Sequence, residues 1–134
     1  MTEWSIPAPP ELEAVLVPDT HEFYVGPNRD RHIIVALALW PDSVSLFSLT
    51  AVGTAMPTPG GAFTMFGLVD DAGSRYPFLA GGSGGMGGGM PQEATSTFKR
   101  PDGRRPLALT LTAETLVNGE VVGREDLVTI TVPE

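Results

Sequence analysis

Histidines and carboxylates near the start of the chain are the first residues whose types could do chemistry. Asp19, His21 and Glu22 lie close together, and His32 returns toward them across a turn that begins at Gly26. Two imidazoles with a carboxylate are a donor set that Zn²⁺ accepts, so a small metal-dependent hydrolase is one hypothesis. The spacing matches no zinc signature and His32 begins an apolar run. Surface or strand-edge histidines without a metal are therefore the favoured interpretation.

A basic segment is the second candidate. Residues 99–106 form the sequence KRPDGRRP, whose cations are Lys99, Arg100, Arg104 and Arg105. Guanidinium groups bind carboxylates and phosphates through paired hydrogen bonds, which makes this segment a candidate interaction loop. Because Pro-Asp-Gly favours a turn, a solvated connection between two strands is the favoured interpretation.

A glycine-rich run at residues 81–89 contains the GxGxxG pattern of dinucleotide-binding loops. That pattern binds phosphates only where a strand precedes it and a helix follows it. Three consecutive glycines before Pro91 exclude the helix, so we expect neither a nucleotide nor any other cofactor. The sequence predicts a flexible loop in which Met86 and Met90 are candidate apolar contacts for a partner.

The sequence lacks the other common catalytic patterns. It has no cysteine, which excludes thiol nucleophiles and disulfides, and Ser83 in the glycine-rich run is not followed by the helix that a nucleophile elbow requires. Asp70 and Asp71 precede Ala72-Gly73, where an Asx-turn explains them better than a calcium site does. A protein without enzymatic activity is therefore the prediction.

The elements that would position these residues are nearly all β-strands. Apolar runs of strand length indicate strands at residues 32–40, 43–52, 62–69, 75–80, 93–99, 107–113 and 127–132. Residues 11–17 fit a short helix or an edge strand, and Asn118-Gly119 is a strong hairpin signal. About seven to nine short strands predict an all-β antiparallel sandwich of immunoglobulin size, with a closed antiparallel barrel as the alternative.

The pattern within the strands predicts the core. In residues 107–113 the alternation places Leu107, Leu109, Leu111 and Ala113 inward. The expected core side chains are Leu37, Leu39, Trp40, Phe47, Phe66, Leu109, Leu111 and Ile130. If the strands at 75–80, 93–99 and 107–113 run antiparallel, the glycine-rich run and the basic segment lie at opposite poles of the middle strand.

Length and charge set the domain organisation and the classes of partner. The chain has 134 residues and a net charge of −8, which predicts one domain at residues 11–134 after an extended proline-rich arm at residues 1–10. An acidic surface disfavours nucleic acid and anionic membranes. No apolar run is long enough to span a bilayer, and the first residues lack a signal-peptide pattern, so we expect a cytoplasmic location.

The second half of the chain has a recognisable order of elements. A strand, the turn DDAGSRY, a strand, the glycine-rich run, a strand, a proline turn and PLALTL follow one another over residues 63–111. This order resembles a loose group of actinobacterial proteins with an oligoglycine loop. The resemblance implies a β-sandwich and carries no activity. The chain departs from the group where Ser83, Met86 and Met90 interrupt the glycines, and where a charged turn replaces a proline-rich one.

These observations favour a binding or interaction module with a protein partner. An immunity or antitoxin-like protein that caps a basic toxin is the alternative within that class, because the chain is small and acidic. A homodimer is also expected, since an exposed edge strand can pair two copies.

Overall fold

The computed structural model describes residues 11–25, 29–50, 62–84, 92–101 and 104–134. Within these ranges the chain forms nine β-strands and no α-helix. In chain order they are β1 Ala14–Leu16, β2 Glu22–Val25, β3 Asp30–Leu39, β4 Ser43–Thr50, β5 Ala62–Asp70, β6 Phe78–Gly84, β7 Gln92–Lys99, β8 Ala108–Val117 and β9 Glu120–Thr131. The proline-rich arm predicted at residues 1–10 lies outside the described residues.

Two antiparallel sheets face each other. Sheet A has the order β1-β3-β4-β7-β6, and β2 also pairs with β3; sheet B has the order β5-β8-β9. Consecutive strands β7 and β8 belong to different sheets, so the basic segment crosses from one sheet to the other. The predicted antiparallel sandwich is confirmed. The barrel alternative is wrong, because the described strands form two separate open sheets.

A β-bulge in β3 decides which side chains reach the core. The pairing with β4 shifts between Ile34 and Ala36, so Ile34, Leu37 and Leu39 are all fully buried although their spacing breaks the two-residue alternation. Val35 stands in the bulge and is exposed. Strict alternation would place Val35 on the same face as Leu37 and Leu39, but the bulge adds a residue to one strand only and turns Val35 outward.

Five of the predicted core residues are buried: Leu37, Leu39, Leu109, Leu111 and Ile130. Phe66 is half-buried and packs against them. Trp40 and Phe47 are corrections. The Trp40 indole nitrogen donates to the Ser45 hydroxyl at 3.2 Å, and Phe47 pairs with Ala36 just beyond the bulge, with its ring exposed. Both side chains lie on the outer face of sheet A, opposite to the buried Leu46.

Turn residues behave largely as their types require. Asn118 and Gly119 have φ of 53° and 81° and close the β8–β9 hairpin, as predicted. Residues 11–17 contain the edge strand β1 rather than a helix. Leu107, predicted to face inward, precedes the first residue of β8 and is 63% exposed.

The start of the glycine-rich run is a correction as well. Gly81–Gly84 pair with β7 as the end of β6, so this part of the run is a strand rather than a loop. A Cβ on Gly81 would stand 2.9 Å from the Phe78 ring, so a side chain at this position would displace that ring. Strand pairing before Phe78 is limited to one bridge between Arg75 and Val69. Residues 85–91, including Met86 and Met90, lie outside the described residues.

Candidate functional site

Arg100, the buried arginine of the basic segment, forms hydrogen bonds at one end of the sandwich. Arg100 follows the last residue of β7, and its side chain is 2% exposed. Its Nη1 donates to Glu13 Oε2 at 2.7 Å and to the Trp40 carbonyl at 2.7 Å. The same Glu13 accepts from Arg105 Nη1 at 3.2 Å, and Arg105 Nη2 donates to the Pro133 carbonyl at 2.6 Å. The segment therefore connects the start of β1 to the end of β9.

A second part of the same pole holds the double aspartate. Arg104 Nη2 donates to Asp71 at 2.7 Å and Nη1 to Asp70 at 3.2 Å. Asp70 Oδ1 also accepts from the backbone of Ala72 and Ser74, which confirms the predicted Asx-turn. The Tyr76 hydroxyl donates to Asp70 Oδ2 at 3.3 Å, and burial together with this carboxylate raises the pKa of Tyr76 to about 12.

These six charged groups form what we call the arginine clamp: Arg100, Arg104, Arg105, Glu13, Asp70 and Asp71. Three carboxylates balance three guanidiniums, so the clamp carries no net charge. Its ion pairs link the ends of strands from both sheets. The hypothesis of a partner-binding basic loop is therefore corrected for Arg100, which is buried, whereas Arg104 and Arg105 keep exposed faces and contact with a partner stays a prediction for them.

The sequence carried a signal for this clamp that residue-by-residue interpretation missed. The DD turn and the RR turn have opposite charges, but the first was interpreted as an Asx-turn and the second as a solvated connection. Only the crossing from sheet A to sheet B brings the two turns together. Lys99 precedes the clamp in β7, pairs in register with Ser43 and is exposed.

The clamp gives the fold a defined acid sensitivity. The Arg104 guanidinium, with the backbone N–H of Leu107, lowers the pKa of Asp71 to about 2 from an ordinary value of 3.8. A carboxyl group whose pKa is lowered by folding stabilises the fold at pH values above its ordinary pKa. That contribution is lost as the pH falls through the pKa of the folded state. We expect the urea midpoint of the wild type to fall between pH 4 and pH 2 more steeply than that of Asp71→Asn.

Asp126→Asn is the matched control for this titration. Asp126 is exposed and its ion pair with Arg124, at 3.3 Å, is also exposed, so this variant should follow the wild type across the same pH range. Identical slopes for the wild type and Asp71→Asn would contradict the expected role of the Asp71 contacts.

The two histidines have separate partners. His21 Nδ1 lies 2.6 Å from the Ile34 carbonyl, whereas His32 Nδ1 lies 3.1 Å from the Thr50 hydroxyl. The His32 ring also meets Phe66 of sheet B edge-on, with ring centroids 5.2 Å apart. In the part of the chain that the structure describes, no three histidines or carboxylates come together as a metal site. The geometry therefore provides no support for the zinc hypothesis.

The outer face of sheet A carries an apolar depression of about 280 Å³. Its lining comes from three adjacent strands: Val35, Phe47, Ser48, Leu49, Glu93, Ala94 and Thr95. Val35 is 44% exposed and Phe47 is 39% exposed, so both offer apolar surface to solvent. The alternation pattern of the sequence does not predict this site, because the bulge that turns Val35 outward depends on the pairing of two strands.

A second depression opens between the sheets where β8 and β9 begin their hairpin. It has a volume of about 320 Å³ and is lined by Arg29, Ala113, Thr115, Val122, Gly123, Arg124 and Glu125. Arg29 and Glu125 form an ion pair of 3.6 Å across it. Residues 26–28, which precede Arg29, lie outside the described residues.

Ion pairing leaves the surface with an excess of negative charge. Every arginine has a carboxylate partner, including the pair of Arg75 with the buried Glu114. Several exposed carboxylates have no ion pair in the described ranges: Glu11, Asp19, Asp42, Glu93, Glu120 and Glu134. Glu93 is the one of these that borders the apolar depression.

The fold and these sites define a two-sheet antiparallel β-sandwich with one pole closed by ion pairs and an apolar depression on its larger sheet. Comparison with protein-family models, curated proteins and solved structures finds no match for this chain. The resemblance to actinobacterial proteins stays a prediction. In the described ranges no helix is long and apolar enough to cross a membrane.

Proposed function

We propose that this protein is a non-enzymatic interaction module that holds a basic protein partner on the outer face of sheet A. The observation that carries the proposal is the depression formed by Val35, Phe47 and Thr95 with Glu93 at its border. An apolar centre with a charged border is the usual organisation of a protein-binding surface.

Apolar contact supplies the central part of the recognition. Phe47 pairs with Ala36 on one side and Thr95 on the other, so small neighbours leave its ring accessible. A Leu, Met or aromatic side chain of a partner fits a depression of this size. Binding would bury the Phe47 ring and the exposed Val35 side chain, and large apolar side chains in such positions dominate interface energies.

The negative charge of the protein favours a basic partner. Glu93 has no ion pair among the described residues, and the arginines of the chain are already engaged with carboxylates. A lysine or arginine beside the apolar anchor of the partner would meet Glu93, and the net charge of −8 would accelerate the encounter. An immunity-type role is the special case in which the basic partner is a toxin, and a toxin gene directly upstream would favour it.

The test is affinity capture from the native host with the wild type and two variants. Phe47→Ser removes the exposed ring from the depression and matches the neighbouring serines of β4. Leu107→Ser is the control, since Leu107 is an even more exposed apolar side chain outside the depression. We expect the wild type and Leu107→Ser to retain the same protein, of pI above 8, and Phe47→Ser to lose it at least tenfold.

The border is tested by Glu93→Gln, which should weaken retention in low salt and have less effect in high salt, because screening removes the same attraction. Equal retention by Phe47→Ser, or capture of an acidic protein, would contradict the proposal. Stoichiometric zinc in the purified protein that disappears in His21→Ala would instead support the hydrolase alternative.

A further inference from the structure

We propose that β6 pairs antiparallel with β6 of a second copy, so that sheet A continues from one protomer into the other across a two-fold axis at Gly82. This inference concerns the edge of sheet A rather than the depression on its face. It therefore stands or falls separately from the proposed function.

The edges of the two sheets differ in how they are protected. Unpaired strand edges invite pairing with other chains, and proteins limit this with short strands, charges or covering segments. At the far edge of sheet A, β1 has three residues and β2 has four, with the charged Glu22 exposed. In sheet B, β9 carries the sequence RED at residues 124–126, and β5 is bridged at Val69 by Arg75.

Strand β6 has none of these protections within the described chain. It pairs with β7 on one side, and its sequence FLAGGSG contains no charge and no proline. Its one irregularity is a shift in register between Phe78 and Ala80, after which pairing with β7 is regular to Gly84. The segment Ala80–Gly84 is therefore a regularly paired, uncharged edge in an otherwise strongly acidic protein.

Self-pairing of this segment is sterically simple. With Gly82 on the two-fold axis, Ala80 lies opposite Gly84 of the partner subunit and Gly81 opposite Ser83 of the partner subunit. The structure leaves open space around the Cβ positions of Gly82 and Gly84, so within the described chain nothing crowds the faces of the strand at these two residues. Antiparallel pairing of identical strands is self-complementary, which is the condition for a closed dimer.

Charge favours a second copy at this edge and disfavours contact elsewhere. Two chains of net charge −8 repel each other, so their contact is favoured where neither presents a carboxylate. Thr95 lies beside Gly82 on β7, so the residue next to the axis is neutral, whereas Glu93 lies beside Gly84 at the end of the segment. The second strand also supplies main-chain hydrogen bonds that compensate for the conformational entropy lost in ordering a glycine-rich backbone.

Light scattering with charge variants tests the pairing. We expect the average mass of the wild type to rise from 14.1 kDa toward twice that value as concentration increases from about 10 µM to about 1 mM. Gly82→Lys and Gly82→Glu should both stay monomeric, because like charges would face each other across the axis. Using both signs separates this local repulsion from the change in net charge.

Gly123→Lys is the matched control. Gly123 also lies in an edge strand with open space around its Cβ, but in the charged strand β9, so this variant should dimerise like the wild type. Unchanged melting temperatures would show that the monomers remain folded.

A cysteine variant tests the register, since the chain has no cysteine of its own. Antiparallel partners have Cα atoms about 4.5–5.5 Å apart, within the range that a disulfide spans. Under mild oxidation Gly82→Cys should become a covalent dimer at least tenfold faster than Gly123→Cys. A wild type that stays monomeric at every concentration, equal masses for the Gly82 variants and the wild type, or equal cross-linking rates would each overturn the proposal. The wild type would also stay monomeric if another segment of the same chain covered the edge of β6, and that result too would overturn the proposal.

Discussion

Glu13→Gln is expected to lower the free energy of unfolding by about 3 kcal/mol, because it leaves the buried Arg100 without its carboxylate. Arg100→Met should be less damaging. It leaves Glu13 with part of its surface in solvent and with Arg105 still at 3.2 Å. The double variant should lose less than the sum of the two single losses, since both substitutions remove the same ion pair.

Urea unfolding of the four proteins measures this coupling, and the exposed pair of Arg124 and Asp126 is the reference. Arg124→Met should change the free energy of unfolding by less than about 1 kcal/mol, because solvent screens that pair. Additive losses at Glu13 and Arg100 would mean that the clamp acts as separate surface contacts.

Leu111→Ala should lower the free energy of unfolding by about 2–5 kcal/mol. Leu111 is fully buried in the core between the two sheets, and truncation removes apolar contacts and leaves a cavity. Total stabilities of domains are about 5–15 kcal/mol, so this single change threatens the fold.

Leu107→Ala is the control for this truncation. Both leucines belong to the same alternating pattern, but Leu107 is 63% exposed, and its truncation should change stability by no more than about 0.5 kcal/mol. Equal losses for the two variants in thermal or urea unfolding would contradict the observed difference in burial.

Alternation predicted the strands better than it predicted their faces. The apolar runs around Leu37 and Leu111 lie in strands because their residue types suit a pleated, half-buried surface. The bulge at Val35 reverses the face that follows it in β3, whereas Phe47 lies outward by the alternation of β4, in which Val44 and Leu46 are buried. A bulge depends on how two strands pair, and a single strand's pattern does not contain that information.

In the candidate site, too, the sequence predicted the local features and did not predict the contacts between distant segments. The residue types predicted the turns correctly. The Asx-turn at Asp70 and the hairpin at Asn118 follow from local hydrogen bonding and from positive φ. The basic segment was assigned as a solvated turn, because nothing local shows that Arg104 meets Asp71 or that Arg100 meets Glu13. These contacts join residues 33 and 87 positions apart.

The sequence by itself determined the class of fold, the positions of most strands and the acidic character of the protein, since these depend on residue types and on neighbours in the chain. The tertiary structure decided the rest. It turned Phe47 outward, ordered Gly81–Gly84 as an edge strand, and converted a basic loop into a balanced clamp. The physical reason is that strand pairing, burial and ion pairing at these positions arise between segments far apart in the chain.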